Sequence, residues 1–280
     1  MKIEFAAYCG LTRSVLILIS LIGASFGVAA EESSGGDLRS AVQNPISSLI
    51  SLPFKFTVDT GADNGDAQIL NLQPVVPVTV GDWNLVNRAI IPIGNVDGAI
   101  PGPENPSPGG TGSASGLADI NYSLFFSPVK VDKVIWGVGP SINLPTANKD
   151  QLGSGKWSGG ITAVALTQPE WGSMGILGRQ LWSFAGDDDR EEVSQTLIEP
   201  FLNYNLDNGW FLITDLVITA NWKADEGNRW TVPIGGGAGR VFKIGKQAIN
   251  SRLEAYYNVE RPDGAPEYSV SFTWQFLFPK

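Results

Sequence analysis

The 280-residue chain contains no histidine, and that absence decides more about its chemistry than any motif present. Serine–histidine triads and the acid–histidine pairs of barrel hydrolases need an imidazole to carry the proton, so lipase and protease chemistry of those kinds is excluded. Gly153-Ser154-Gly155-Lys156-Trp157 imitates the end of a phosphate-binding loop. Asp150 stands where the first glycine belongs, however, and Trp157 where a Ser or Thr must hold magnesium. Asp187-Asp188-Asp189-Arg190-Glu191-Glu192 offers the hard oxygen ligands that calcium takes, without the spacing or turn glycine of a calcium loop. It reads as a solvated face or as an outer loop bridging lipopolysaccharide phosphates through divalent ions. Gly235 to Gly239 lies within a strand pattern and reads as a bend or close contact in a sheet. No catalytic, cofactor-binding or metal-binding residue is assigned.

What remains is a set of polar residues alternating with apolar ones: Arg88, Asp119, Asn121, Arg179, Glu199, Asn203, Asp215, Arg252, Glu254 and Gln275. In a closed core these charges would cost several kcal/mol each unless paired. A water-filled lumen keeps them solvated, and that is the expectation for them. The other reading is a closed polar network bracing a small barrel. Both signs are present, so no ion preference follows from the residues alone.

Alternation needs strands, and the last stretch shows it most clearly. Tyr268, Val270, Phe272, Trp274, Phe276 and Phe278 are apolar, while Ser269, Ser271, Thr273 and Gln275 between them are polar. Successive side chains of a strand point to opposite faces, so this strand has an aromatic face and a hydroxyl and amide face. At about 3.3 Å per residue and a tilt near 45°, its length rises about 25 Å, the apolar height of a membrane barrel. About twelve such runs follow one another from Ile50 onwards. Connections after odd-numbered runs are mostly long and polar, as in Gly94 to Gly116, Pro145 to Ser158 and Ala185 to Ser194. Those after even-numbered runs are mostly tight, as in Gly81-Asp82 and Asp207-Asn208-Gly209. Long outside and short inside is the outer-membrane asymmetry. Aromatics also collect at run ends, with Trp83, Phe126, Trp136, Trp210, Phe242 and Phe278 near one rim. Trp182, Trp222, Trp230 and Tyr268 gather near the other. The predicted fold class is all-β, a transmembrane antiparallel barrel of about twelve strands.

Composition agrees. The chain is 43% hydrophobic and only 17% charged, with 33 Gly and 18 Pro suited to many short strands and turns. Residues 1–30 read as an export signal, with Lys2 and Arg13 basic, Val15 to Gly27 apolar and Val28-Ala29-Ala30 a small-residue cleavage site. Cleavage removes Lys2, Glu4 and Arg13 and takes the net charge from −9 to −10, which disfavours nucleic acid as a partner. Cys9, the only cysteine, leaves with the signal, so no disulfide framework or thiolate metal site follows. Residues 31–50 form an ordered periplasmic arm or a small plug, in which Asp37 caps a short helix ended by Pro45. The barrel spans 51–280.

Four segments carry a family likeness: Ala41 to Ile46, Val134 to Pro140, Gly227 to Pro233 and the closing Gln275 to Lys280. Together they resemble a family of bacterial outer-membrane transporters similar to the barrel of the phenol-degradation meta-pathway, some members of which carry the misleading label neuromedin U. The near-terminal Phe278 resembles the recognition strand through which such barrels engage the barrel-assembly machinery. The resemblance implies passage of a small-molecule solute, hydrophobic or aromatic, with outer-membrane lipid and lipopolysaccharide as surroundings and no cofactor. A structural or adhesive barrel and a soluble periplasmic β-protein are the competing readings.

Overall fold

Runs of alternating apolar and polar residues, broken by Gly, Pro and Asp, leave this chain one regular option, the strand. The computed structural model describes residues 35–62 and 65–279. The export signal therefore lies outside the described residues. One helix, α1 (Gly35–Val42), precedes β1 (Ile50–Ala62), β2 (Gly65–Leu72), β3 (Val75–Val80), β4 (Trp83–Asp97) and β5 (Ser113–Leu117). Then come β6 (Ile120–Pro128), β7 (Ile135–Leu144), β8 (Lys156–Thr167), β9 (Gly172–Gly186) and β10 (Ser194–Asn205). The last are β11 (Trp210–Asp215), β12 (Ile218–Asn221), β13 (Trp230–Ile244), β14 (Gln247–Glu260) and β15 (Tyr268–Phe278). All pairings are antiparallel, and β15 returns to pair with β1 from Ile50↔Phe278 to Thr60↔Tyr268, which closes the sheet into a barrel.

The fifteen strands make twelve spans, because β2 with β3, β5 with β6 and β11 with β12 are each one span with a short interruption. Proline accounts for the breaks. It lacks the N–H that its neighbour's carbonyl needs, so a ladder cannot run through it unbroken. Pro74 lies in the first gap, and at all three gaps a bridging N–H goes to the carbonyl of a proline on the adjacent strand. These bonds are Gln73 to Pro53 at 2.9 Å, Ala118 to Pro92 at 2.9 Å and Leu216 to Pro200 at 3.1 Å.

Face assignment follows from exposure. Along β15 Ser271, Thr273 and Leu277 are buried and point inward, while Tyr268, Val270 and Phe278 are exposed. The register Leu253↔Phe272↔Phe56 continues the apolar outer surface across three neighbouring strands. Ring pairs mark both rims. Trp83 meets Trp136 and Trp171 meets Tyr204 at the end with short turns, while Trp222 meets Trp230 and Tyr257 meets Tyr268 at the end with long loops. Because lipid solvates no charge, Phe272→Arg is expected to cost about 2–4 kcal/mol of barrel stability at mid-bilayer. Denaturant titration in vesicles reads this directly, and an unchanged midpoint would mean that the outer face is misassigned.

Two segments depart from expectation. The connection between β4 and β5 is not an exposed loop from Gly94 to Gly116. Strands extend to Asp97 and resume at Ser113, and the intervening chain folds back into the barrel with Ile100 and Ser107 buried. Polar loop composition signals absence of a strand period and says nothing about direction. In the arm the departure is confined to the helix cap. Leu38, Ala41 and Val42 of α1 cover Phe211, Ile213, Val241 and Leu277 at the short-turn end. Arg39 donates to the carbonyls of Leu206 and Trp210 at 2.6 and 3.1 Å. Pro45 follows α1 as expected, but the helix begins at Gly35, so Asp37 stands inside it rather than at its cap.

Candidate functional site: the barrel lumen

Strand parity puts one side chain in two on the inside, and those side chains are not uniformly polar. Val86, Phe125, Val164, Leu166, Leu177 and Leu197 make a buried apolar belt, joined by Ile46 of the arm. Above the belt lies a cavity of about 530 Å³. Arg88, Asn121, Arg179, Glu199, Asp215 and Arg252 line it, among other residues. A smaller cavity of about 130 Å³ lies towards the arm, lined by Ala41 to Ser47 except Ile46, and by Asn203 and Gln275. Arg88, Glu199, Asp215 and Arg252 border both cavities, so these four charged residues form the waist between them.

The remaining two sequence candidates sit elsewhere. Asp119, fully buried, does not border either cavity. It lies at the break between β5 and β6, where its carboxylate accepts from Ser154 N–H at 2.8 Å, Ser154 Oγ at 3.0 Å and Ala147 N–H at 3.1 Å. It is a loop anchor: a carboxylate freed from the ladder by the break satisfies backbone donors of residues 145–155. Asp119→Ala leaves those donors unpaired, and each charge-assisted bond is worth roughly 1.5–3 kcal/mol. The expected result is accelerated amide exchange at Ala147 and Ser154 with the barrel otherwise intact, and unchanged exchange there would contradict the anchor role. Glu254 points inward but is covered, 3.6 Å from Arg252 Nε, and accepts from Tyr256 O–H at 2.9 Å.

Arg179 shows how the mouth is narrowed. Its guanidinium pairs with Glu104 of the in-folded loop at 3.5 Å and donates to the Pro103 carbonyl at 2.6 Å. Asn143 donates to the Glu104 carbonyl at 2.8 Å, and Asn221 to that of Pro106 at 3.3 Å. Arg190, within the acidic run, turns away from solvent to bind the carbonyls of Ser107, Asp150 and Gly153 and the Asp150 carboxylate, fastening three loops together. Glu192 pairs instead with Lys223 on the surface, whose ammonium holds its carboxyl below the usual range. Among the described residues no group of three Asp, Glu, His or Cys side chains is arranged to hold a metal ion.

Sequence reading passed over Lys55 and Asp59, which also line the larger cavity. The signal was present, since Phe54, Phe56 and Val58 alternate with them. The inner wall also needs its glycines: a Cβ on Gly239 would stand 2.4 Å from the ring of Phe211 and 3.0 Å from Arg252 Cγ.

A family model described as "Putative MetA-pathway of phenol degradation" matches residues 41–274, nearly the whole described body. The chain belongs to that family. Its fold is shared with the crystal structure of an outer membrane channel from Pseudomonas putida F1, at a TM-score of 0.63 and 18% identity, over 90% of this chain and 100% of that one. LpxR from Salmonella typhimurium is a more distant likeness, with a TM-score of 0.43 and 11% identity over 81% of this chain and all of the other. No curated protein sequence matches. Family and fold together place the protein in the bacterial outer membrane.

Proposed function

We propose that the barrel is a passive outer-membrane channel for a small solute with an apolar or aromatic body. The observation that carries this reading is the pair of cavities inside the wall, meeting at a charged waist and floored by apolar side chains. A brace would need these charges paired with one another. Here Arg88 makes no ion pair among the described residues, and the space beside it is open. The family description, which speaks of phenol degradation, and the channel from Pseudomonas putida support the same reading. No catalytic step is part of it. Outer-membrane lipid and lipopolysaccharide would contact the exposed aromatic and aliphatic face, and the assembly machinery the terminal strand.

The in-folded loop and the packed arm favour a second reading, a structural or adhesive barrel that passes nothing. Proteoliposome swelling in neutral solutes of graded size separates the two. A channel admits the smallest solutes and excludes larger ones. Vesicles no leakier than protein-free ones, with the barrel verified as folded by heat-modifiable migration, would leave the structural reading standing.

A further inference from the structure

The charges of the waist, and Lys55 of the larger cavity beside it, are spread unevenly around the wall. Counting spans around the barrel from β1, Lys55 stands on the first, Arg88 on the third and Arg252, on β14, on the eleventh. Glu199 is on the eighth and Asp215 on the ninth. Lys55 and Arg88 therefore form one arc, four to six spans around the wall from the carboxylate arc of Glu199 and Asp215. Arg252, by contrast, stands only two spans from Asp215, and Asp59 shares the strand of Lys55. No ion pair among the described residues joins the two arcs, and Arg252 pairs with Glu254 of its own strand. Asp215 Oδ1 is buried without a hydrogen-bond partner. Beside the arcs, Ile69, Ile90, Leu177, Leu197 and Val217 give the larger cavity an apolar wall.

Arg88 on one wall and Glu199 with Asp215 on the other, joined by no ion pair among the described residues and set over an apolar surface, are complementary to a molecule with one charge of each sign and an apolar body. We infer that the waist is a subsite for a small zwitterion with an apolar body, a ligand class narrower than the channel reading on which the inference rests for passage, though not for binding. The carboxylate meets Arg88 and its neighbours, where a guanidinium donates two parallel hydrogen bonds to it. The ammonium, with three donors, lies between Glu199 and Asp215. The hydrocarbon rests on Leu177 and Leu197. A singly charged analogue satisfies one arc and leaves the other unpaired, which forfeits part of the affinity.

Calorimetry on the purified full chain in detergent tests this with phenylalanine, 3-phenylpropionate, which lacks the ammonium, and 2-phenylethylamine, which lacks the carboxylate. Phenylalanine is expected to bind about tenfold tighter than either. Asp215→Asn should weaken phenylalanine and spare 3-phenylpropionate, while Arg88→Gln should weaken both and spare 2-phenylethylamine. Equal affinities across the series, no binding by any of the three, or a preference that neither variant alters would overturn the inference. Phenylalanine binding to a barrel that swells no vesicles would keep the subsite and end the channel reading, whereas swelling without a zwitterion preference would do the reverse.

Discussion

Deleting Phe276 to Lys280 is expected to leave almost no folded barrel in the membrane. Phe276, Leu277 and Phe278 belong to the strand that closes the sheet, paired with β1 on one side and β14 on the other, with Leu52↔Phe276 and Ile249↔Phe276 among the pairs lost. In lipid no water replaces a broken ladder, and each unsatisfied backbone group costs several kcal/mol. The deletion also removes Leu277, only 1% exposed, from the cluster that α1 covers, and truncating a buried leucine alone costs about 2–5 kcal/mol. Membrane fractionation and heat-modifiable migration would show the loss. A variant that fractionates and migrates like the wild type would mean that β15 does not close the structure.

Neutralising Arg88 and Arg252 together is expected to turn the lumen towards cations. Both border the waist together with Glu199 and Asp215, and a constriction left with acidic side chains admits cations preferentially. Arg179 is the wrong partner for this experiment, because its pairing with Glu104 and Pro103 holds the in-folded loop and its loss would open the mouth as well. Reversal potential under a salt gradient reads the effect. The Arg88→Gln, Arg252→Gln variant should shift towards the cation equilibrium potential, and an unchanged value would put the selectivity of the pore elsewhere.

The wall of this protein was readable in its sequence because a barrel writes itself locally. Lipid on one face and the interior on the other impose a period of two, and β15 carries that period almost without fault. Loop lengths gave the direction of the spans, and proline-bearing runs were still recognisable as single spans although the ladder breaks beside Pro53, Pro92 and Pro200. What fills the wall was harder to see. Residues 98–112 have no period, so nothing in them announces that Glu104 will reach Arg179 across the lumen. Asp119 follows the inward parity of its span, yet its position at a strand break gives it to Ser154 and Ala147 instead. Inward parity likewise does not say polar, as Phe125 and Leu197 show. Alternation assigns a side, and only tertiary contact assigns a task.

Single-channel current across a planar bilayer tests the central claim most directly, with the wild type measured beside a variant whose 98–112 loop is replaced by a short Gly-Ser connection. The loop narrows the mouth through Glu104 and the carbonyls of Gly102, Pro103 and Pro106. A channel through this lumen predicts small discrete steps for the wild type and severalfold larger ones for the variant. Two folded barrels that both stay silent would contradict it.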